Sequence, residues 1–317
     1  MSITIIQRTF GGPEVLEAVD VDTPTAGDLG AGEVLVRVAF AGVNPVDAKT
    51  RRGGAVAGLF PEFPLTIGWD FSGTIVAANP SVTFLLPGER VFGMSRFPHP
   101  GNAYAEYVIA DACDLVLTPV GMTDEQAAAL PLAGLTAWEG LVETGALQPD
   151  QYVLVQGAGG GTGHLATQIA HIIGAHVTAT AGTDKQSWLR ELGADRTIDY
   201  SVDNVTDMFS ERPFDLVFNT SNGTARAGIL ATKRGGIVID ISETLTRDDR
   251  ILAASTGVRV AVPSVSLNRD GLEALAALAG AGRLVPHISQ IFSLTHAAEA
   301  HRQIEEGHVR GKVLLQP

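Results

Sequence analysis

One stretch, Tyr152 to Gly163, constrains this chain more than any other. The apolar run Tyr152-Val153-Leu154-Val155 ends at Gln156 and a glycine cluster. Leu165, Ile169, Ile172 and Ile173 then recur at helical spacing. Ala175 to Ala181 reads as a second strand. Together these predict a β-α-β unit whose first turn holds a diphosphate. The chemistry behind the pattern is specific. A tight turn needs a residue free of Cβ clashes, the pyrophosphate must approach bare backbone, and helix N–H groups must point at the anion. Gly160 and Gly163 take the second and third positions of the dinucleotide pattern, and Ala158 replaces the first glycine. A sharp turn without a ligand is the alternative reading. The strand before the turn and the helix after it favour a nucleotide site.

At 317 residues the chain can form one large or two medium domains, and 45% hydrophobic against 18% charged residues allows a sizeable core. The formal charge of −13 argues against nucleic acid or anionic membranes as partners, because both require a basic surface. Cys113 is the single cysteine, so neither an intrachain disulfide nor a thiolate zinc cluster can form, and we read it as packing. The start Met1-Ser2-Ile3-Thr4 lacks a basic segment with a long apolar run, and no stretch approaches a membrane span. These features predict a soluble, cytoplasmic protein.

Residues 1 to 125 read as strand-rich. Val34 to Ala39, Gly73 to Ala78 and Glu106 to Ile109 are strand candidates, punctuated by Gly11-Gly12-Pro13, Pro61 with Pro64, Pro87-Gly88 and Pro98 to Gly101. Short strands with such turns predict a barrel or sandwich. The pattern changes at Thr123, which forms a capping box with Gln126. After an interruption at Pro131, Leu135, Trp138, Leu141 and Val142 mark a helix closed at Gly145. Beyond the glycine turn, Phe214 to Asn219, Gly236 to Asp240 and Val258 to Val265 read as further strands separated by helical stretches. That alternation means a parallel sheet with helices on both faces. A helix over Gly271 to Leu278, another over Thr295 to Glu306 and a short strand at Lys312 to Leu315 complete the chain.

Several short motifs occur in a fixed order. They are Gly11-Gly12-Pro13-Glu14-Val15-Leu16, Ala41-Gly42-Val43-Asn44-Pro45-Val46-Asp47 and Gly68-Trp69-Asp70-Phe71-Ser72-Gly73. Gly88-Glu89-Arg90-Val91, Ala103-Tyr104-Ala105-Glu106-Tyr107, Leu135-Thr136-Ala137-Trp138 and the glycine turn follow. From near Thr9 to the C-terminal residue the chain resembles the quinone oxidoreductase (zeta-crystallin-like) branch of the medium-chain dehydrogenase/reductase superfamily. The resemblance implies an α/β protein with a GroES-like β-rich catalytic domain, residues 1–125 completed by 286–317. It implies a Rossmann domain with a doubly wound parallel sheet over 126–285. At the positions where zinc-dependent members carry catalytic ligands this chain has Asn44, Trp69 and Leu132. None is a good zinc ligand, and the cysteine-rich structural zinc lobe is missing, so no metal is expected.

The resemblance also implies site residues. Asn44 would hold the nicotinamide end, its alternative being support of the turn before Pro45. Thr136 would stand at a helix start beside the nicotinamide, its alternative being a cap. Asp47 and Lys49 would lie beside the substrate, although a solvated charged face including Arg51 is the commoner explanation. The diphosphate falls to Ala158, Gly159, Gly160, Gly161, Thr162 and Gly163. Further cofactor contacts are implied at Gly182, Tyr200, Asn219, Ser221, Ile241 and Lys312. Thr178 to Ala181, the end of the second strand, has no acid to bind a ribose diol. Thr180, Thr183 and Lys185 offer donors and charge, which favours NADPH over NADH. Thr183 also has a plain reading as an N-cap boxed with Gln186. His164 and His171 read as surface residues, and Trp69 as a wall on the substrate side.

The reading that follows is an NADPH-dependent reductase passing hydride to a quinone or to an activated enone or enal. An enoyl-thioester reductase is the runner-up, and a low-turnover NADPH-binding sensor or structural protein belongs to a different class. A homodimer is expected through the late strand around Val258 to Val262, because the family commonly pairs such an outer strand with its twin.

Overall fold

The computed structural model describes residues 1–60, 62–203, 213–242, 244–263 and 265–317. Pro61, one of the expected turn prolines, and Ser264 of the expected strand lie outside the described residues. The chain divides into two compact units, Met1–Leu135 with Ser266–Pro317, and Thr136–Val265.

The first unit is built on strands. β1 (Ser2–Ile6) and β2 (Glu17–Val21) form an antiparallel pair. A seven-stranded sheet runs β14 (Ile288–Ser293), β15 (Lys312–Gln316), β3 (Glu33–Val43), β4 (Asp70–Ala78), β5 (Arg90–Met94) and β7 (Leu115–Leu117). Its remaining strand, β6 (Tyr107–Asp111), also pairs with β3. β-Branched residues suit this pleated surface. Val34, Val36 and Val38 of β3 are buried against Phe71, Ile75, Val91 and Val108. The returning tail adds Leu294, Ala297, Ala300, Val313 and Leu315 to a second cluster that holds Ile5, Ala41, Val43 and Ile67. So the C-terminal strand does join the first unit, as the resemblance implies.

Helix α1 (Pro45–Arg51) follows β3, and α2 (Asp124–Ala129) starts at the expected capping box of Thr123 and Gln126. Pro131 does more than interrupt. It opens α3 (Pro131–Trp138), and the helix continues as one π-helical turn, Glu139–Thr144, closed at Gly145. Helices α8 (Arg269–Gly280) and α9 (Ala297–Glu306) belong to the C-terminal part. The unit boundaries fall at 135/136 and 265/266 and not at the expected 125/126 and 285/286. The reason is packing: α2 rests on β3 and β4, and α8 rests on β7.

The second unit is a six-stranded parallel sheet. Its strands are β8 (Tyr152–Gln156), β9 (His176–Ala181), β10 (Arg196–Asp199), β11 (Phe214–Asn219), β12 (Thr232–Asp240) and β13 (Arg259–Ala261). They are ordered β10-β9-β8-β11-β12-β13. The near-continuous apolar runs of β8 and β11 are buried, as strands covered on both faces require. Helix α4 (Gly161–Ile173) follows β8 and stops at Gly174, whose φ of +94° suits glycine. Helices α5 (Gln186–Glu191), α6 (Ala225–Ala231) and α7 (Arg247–Thr256) complete the unit. β13 has three residues where eight were expected, Val258 to Val265, because only Arg259 to Ala261 find partners on β12.

Candidate active site

Chain order reverses direction at β8, with β9 on one side and β11 on the other. Ligands of open α/β sheets bind beyond the carboxyl ends of strands at such a point. The glycine turn stands there, and its glycines answer to different causes. Gly157 has a φ of +72°. At Gly163 a Cβ would lie 2.3 Å from the Gly157 carbonyl oxygen, so helix and turn touch only because it is glycine. Gly160 has ordinary extended backbone, and a Cβ there would meet nothing closer than the Gly157 oxygen at 3.6 Å. Folding does not require glycine at 160. Bare backbone beside open space is what a diphosphate requires.

The rest of the turn is fastened from behind. Thr180 Oγ1 accepts from the Gly157 N–H at 3.3 Å, and Ala158 is fully buried. The Lys185 stem crosses Gly159, where a Cβ would lie 2.5 Å from its Cδ. Gly161 and Thr162 open α4. His164 is not on the surface. It is fully buried, stacked on Trp188, with Nδ1 3.0 Å from the Gly160 carbonyl oxygen, whereas His171 is exposed. The expected Thr183–Gln186 capping box does not form. Gln186 Nε2 donates to the Ala181 carbonyl at 2.8 Å, while the Thr183 hydroxyl lies 3.2 Å from that of Ser201.

β9 itself ends without an acid, as its sequence says. Its neighbour β10 supplies one: Asp199 pairs with Ala181, and the Ser201 hydroxyl, then Thr183, hold its carboxyl below the usual carboxylate range. Sequence spacing along one strand does not show an acid delivered by the next. Tyr200 follows it and is exposed, near Gly182.

Asn219 is fully buried at the end of β11, and its amide is spent on the protein. Nδ2 donates to Asp240 at 2.6 Å, and Oδ1 accepts from the Thr224 hydroxyl at 2.7 Å and the Ser221 N–H at 3.1 Å. Its carbonyl accepts from the Ile241 N–H at 3.0 Å.

In the first unit a second polar cluster surrounds Asn44, the N-cap of α1. Asn44 Nδ2 donates to Asp70 Oδ2 at 2.9 Å, and Lys312 Nζ donates to Asn44 Oδ1. Lys312 also donates to the Val43 carbonyl at 3.3 Å and pairs with Asp70. Asp70 Oδ1 accepts from the Leu132 N–H at 2.9 Å. Burial pushes the Asp70 carboxyl up, opposed by Lys312, by Asn44 and by the Leu132 N–H.

Asp47 and Arg51 form no solvated face, since both are fully buried. Lys49 is half-buried. Asp47 Oδ2 accepts from the Asn44 N–H at 2.7 Å and the Tyr104 hydroxyl at 2.9 Å. Thr136 lies inside α3 and not at a helix start, so a cap at that helix start is ruled out. Trp69 walls no open surface. It is fully buried, donates from Nε1 to the His99 carbonyl at 2.7 Å, and meets Phe60 and Phe97 edge-on. Cys113 is exposed and not part of the packing. Among the described residues no group of three or more His, Cys, Asp or Glu is arranged to hold a metal, and no helix is long and apolar enough to cross a membrane.

Residues 30–120 match the family described as the alcohol dehydrogenase GroES-like domain, and residues 192–315 the one described as zinc-binding dehydrogenase. A chloroplastic NADPH-dependent alkenal/one oxidoreductase of Arabidopsis thaliana is 33% identical over 98% of this chain and 78% of its own. A quinone oxidoreductase of Sus scrofa is 30% identical over 96% of this chain and 95% of its own. The chain belongs to the zinc-independent quinone oxidoreductase branch of the medium-chain dehydrogenase/reductase superfamily. Among solved structures, the quinone oxidoreductase from Coxiella burnetii is 31% identical, with a TM-score of 0.91 over 100% of this chain and 99% of its own. In this chain the Lys312 ammonium is set against Asp70 and Asn44.

Proposed function

We propose that this chain is an NADPH-dependent oxidoreductase that reduces a quinone or the activated double bond of an enone or enal. The observation that carries the reading is Gly160, a glycine without a folding reason at the switch point of the parallel sheet. The acceptor class follows from the names of the relatives. Bound NADPH supplies the hydride. The diphosphate is assigned to the turn from Ala158 to Gly163, with Lys185 adding charge. Thr180, Gly182, Thr183 and Tyr200 are assigned to the adenosine half, and Ser221 and the Ile241 backbone to the nicotinamide half. Asn219 serves there by orienting Ser221.

Asn44 and Thr136 are assigned to the nicotinamide end. Support for Asn44 comes from its fixed amide: Lys312 and Asp70 define which end is oxygen and which is nitrogen. Such fixed groups act by orientation, since hydride transfer needs reacting atoms about 3–3.5 Å apart. Asn44→Ala lowers turnover more than NADPH affinity, measured by steady-state rates and cofactor titration. Full turnover of Asn44→Ala with every accepted quinone or enal would remove Asn44 from the site.

We also propose a homodimer formed through β13. This strand ends the sheet, and Val262 beside it is 47% exposed. An open edge of this kind is a template for a second copy. A monomer mass by light scattering at micromolar concentration counts against it. A cytoplasmic location is proposed on the acidic composition and single free cysteine. Cell fractionation tests it.

A further inference from the structure

Asp47 stands at the inner end of a directional chain of hydrogen bonds. Its Oδ2 accepts from the Asn44 N–H and from the Tyr104 hydroxyl. The Tyr104 oxygen lies 3.1 Å from His301 Nε2, and His301 Nδ1 lies 3.1 Å from Arg51 Nη1. A guanidinium only donates, so Nδ1 is the acceptor and the imidazole carries its proton on Nε2. That proton points at the Tyr104 oxygen, whose own proton goes to Asp47. The donors therefore run one way, from Arg51 through His301 and Tyr104 to Asp47. Arg51 is fixed in turn: Nε donates to the Gly11 carbonyl at 3.2 Å and Nη2 to Glu305 at 2.6 Å. Asp47, Tyr104, Arg51 and His301 are each fully buried.

Four buried polar side chains are an expensive way to fill a core, because apolar residues of similar volume often serve stability as well or better. A fully directed network instead specifies one geometry. The group held at its inner end is the backbone of Asn44.

We propose that Tyr104 and His301 are positioning residues for hydride transfer, acting through Asp47 to hold Asn44 in register. This rests on the assignment of Asn44 to the nicotinamide end. Asp47 is faced by Asp70 from β4 and Lys312 from β15, by Tyr104 ahead of β6 with His301 of α9 behind it, and by Arg51 of its own helix. Burial pushes its carboxyl up to about 7, the Asn44 N–H opposes that, Asp70 adds to it, and the Tyr104 hydroxyl and Lys312 oppose it. Loss of the Tyr104 hydroxyl therefore moves Asp47 further up.

The test compares Tyr104→Phe, His301→Leu and His301→Gln with Asn44→Ala in the full chain. Tyr104→Phe and His301→Leu lower kcat about tenfold while the Kd for NADPH changes less than about twofold. His301→Gln keeps one donor and one acceptor and restores most of the loss. The acid limb of the kcat profile moves to higher pH in Tyr104→Phe. A purely structural role moves only the melting temperature. The proposal is overturned if Tyr104→Phe and His301→Leu keep wild-type kcat and pH profile per NADPH-binding site while Asn44→Ala loses turnover. In that case the Asn44 assignment stands. If Asn44→Ala keeps full turnover, that assignment falls and the positioning role falls with it. If His301→Leu does not fold, Tyr104→Phe, which lacks a single oxygen, decides alone.

Discussion

Lys312 Nζ lies 3.4 Å from Asp70 Oδ2, with the two side chains 3% and 0% exposed. Lys312→Met takes the cation away and leaves the carboxylate buried. Breaking such a pair from one side costs about 3–5 kcal/mol, read as a lower urea midpoint. The deficit narrows as pH falls. Burial already raises the Asp70 carboxyl, Lys312 opposes that, and without Lys312 the carboxyl rises further. The folded state then binds a proton the unfolded state does not, so acid stabilises the variant relative to wild type. A deficit that grows on acidification would show that Asp70 is not the orphaned group.

Asp47 and His301 give the buried chain two opposed pH dependences. Burial lifts Asp47 to about 7, so its contribution to stability is full below about 4 and is lost as pH rises toward 7. Burial first, and Arg51 second, press His301 down to about 3. Its contribution is full above about 6.5 and is lost as pH falls toward 3. Between about 4 and 6.5 the two offset each other. Relative to wild type, His301→Gln gains stability as pH falls from 6.5 to 4, and Asp47→Asn loses it. Denaturation at several pH values checks both signs.

Two glycines of one turn separate folding from binding. Gly163→Ala puts a Cβ 2.3 Å from the Gly157 oxygen and 2.7 Å from the Ala158 Cα. It costs about 1–3 kcal/mol of stability. Gly160→Val meets no such wall, so it keeps its denaturation midpoint while losing NADPH binding. A Gly160→Val protein that titrates NADPH normally by fluorescence would move the diphosphate elsewhere.

NADPH binds more tightly than NADH, by roughly ten- to a hundredfold for one charge-assisted phosphate contact. Lys185→Ala narrows the gap. Asp199 works against it, because its carboxyl is held in the charged form beside Thr183. Asp199→Asn therefore widens the preference. Equal or stronger NADH binding in wild type would sink the assignment.

The sequence is informative wherever a rule is local. Apolar runs and the glycine turn reveal the parallel sheet and its β-α-β unit, and the Thr123 capping box marks the start of α2. It is uninformative wherever a partner arrives from far along the chain. Arg51 looks like part of a charged surface until His301 and Glu305 close over it. His164 looks exposed until Trp188 stacks on it. Trp69 looks like a wall beside the substrate until Phe60, Phe97 and the His99 carbonyl enclose it. β13 is short because β-branched residues propose a strand and only hydrogen-bonding partners extend it.

The same long reach bears on how the protein is made. Lys312 donates to the carbonyl of Val43, 269 residues earlier, and β15 completes the sheet beside β3. At about 5–20 residues per second a ribosome needs roughly 13–55 s to bring the one to the other. Throughout that interval β3 has a bare edge on that side and Asp70 lacks its cation. The whole of the second unit, whose strands and helices span 136–265, emerges in the meantime. The six-stranded parallel sheet is thus free to close first, and the cluster of Asn44, Asp70 and Lys312 becomes whole only when β15 is synthesised.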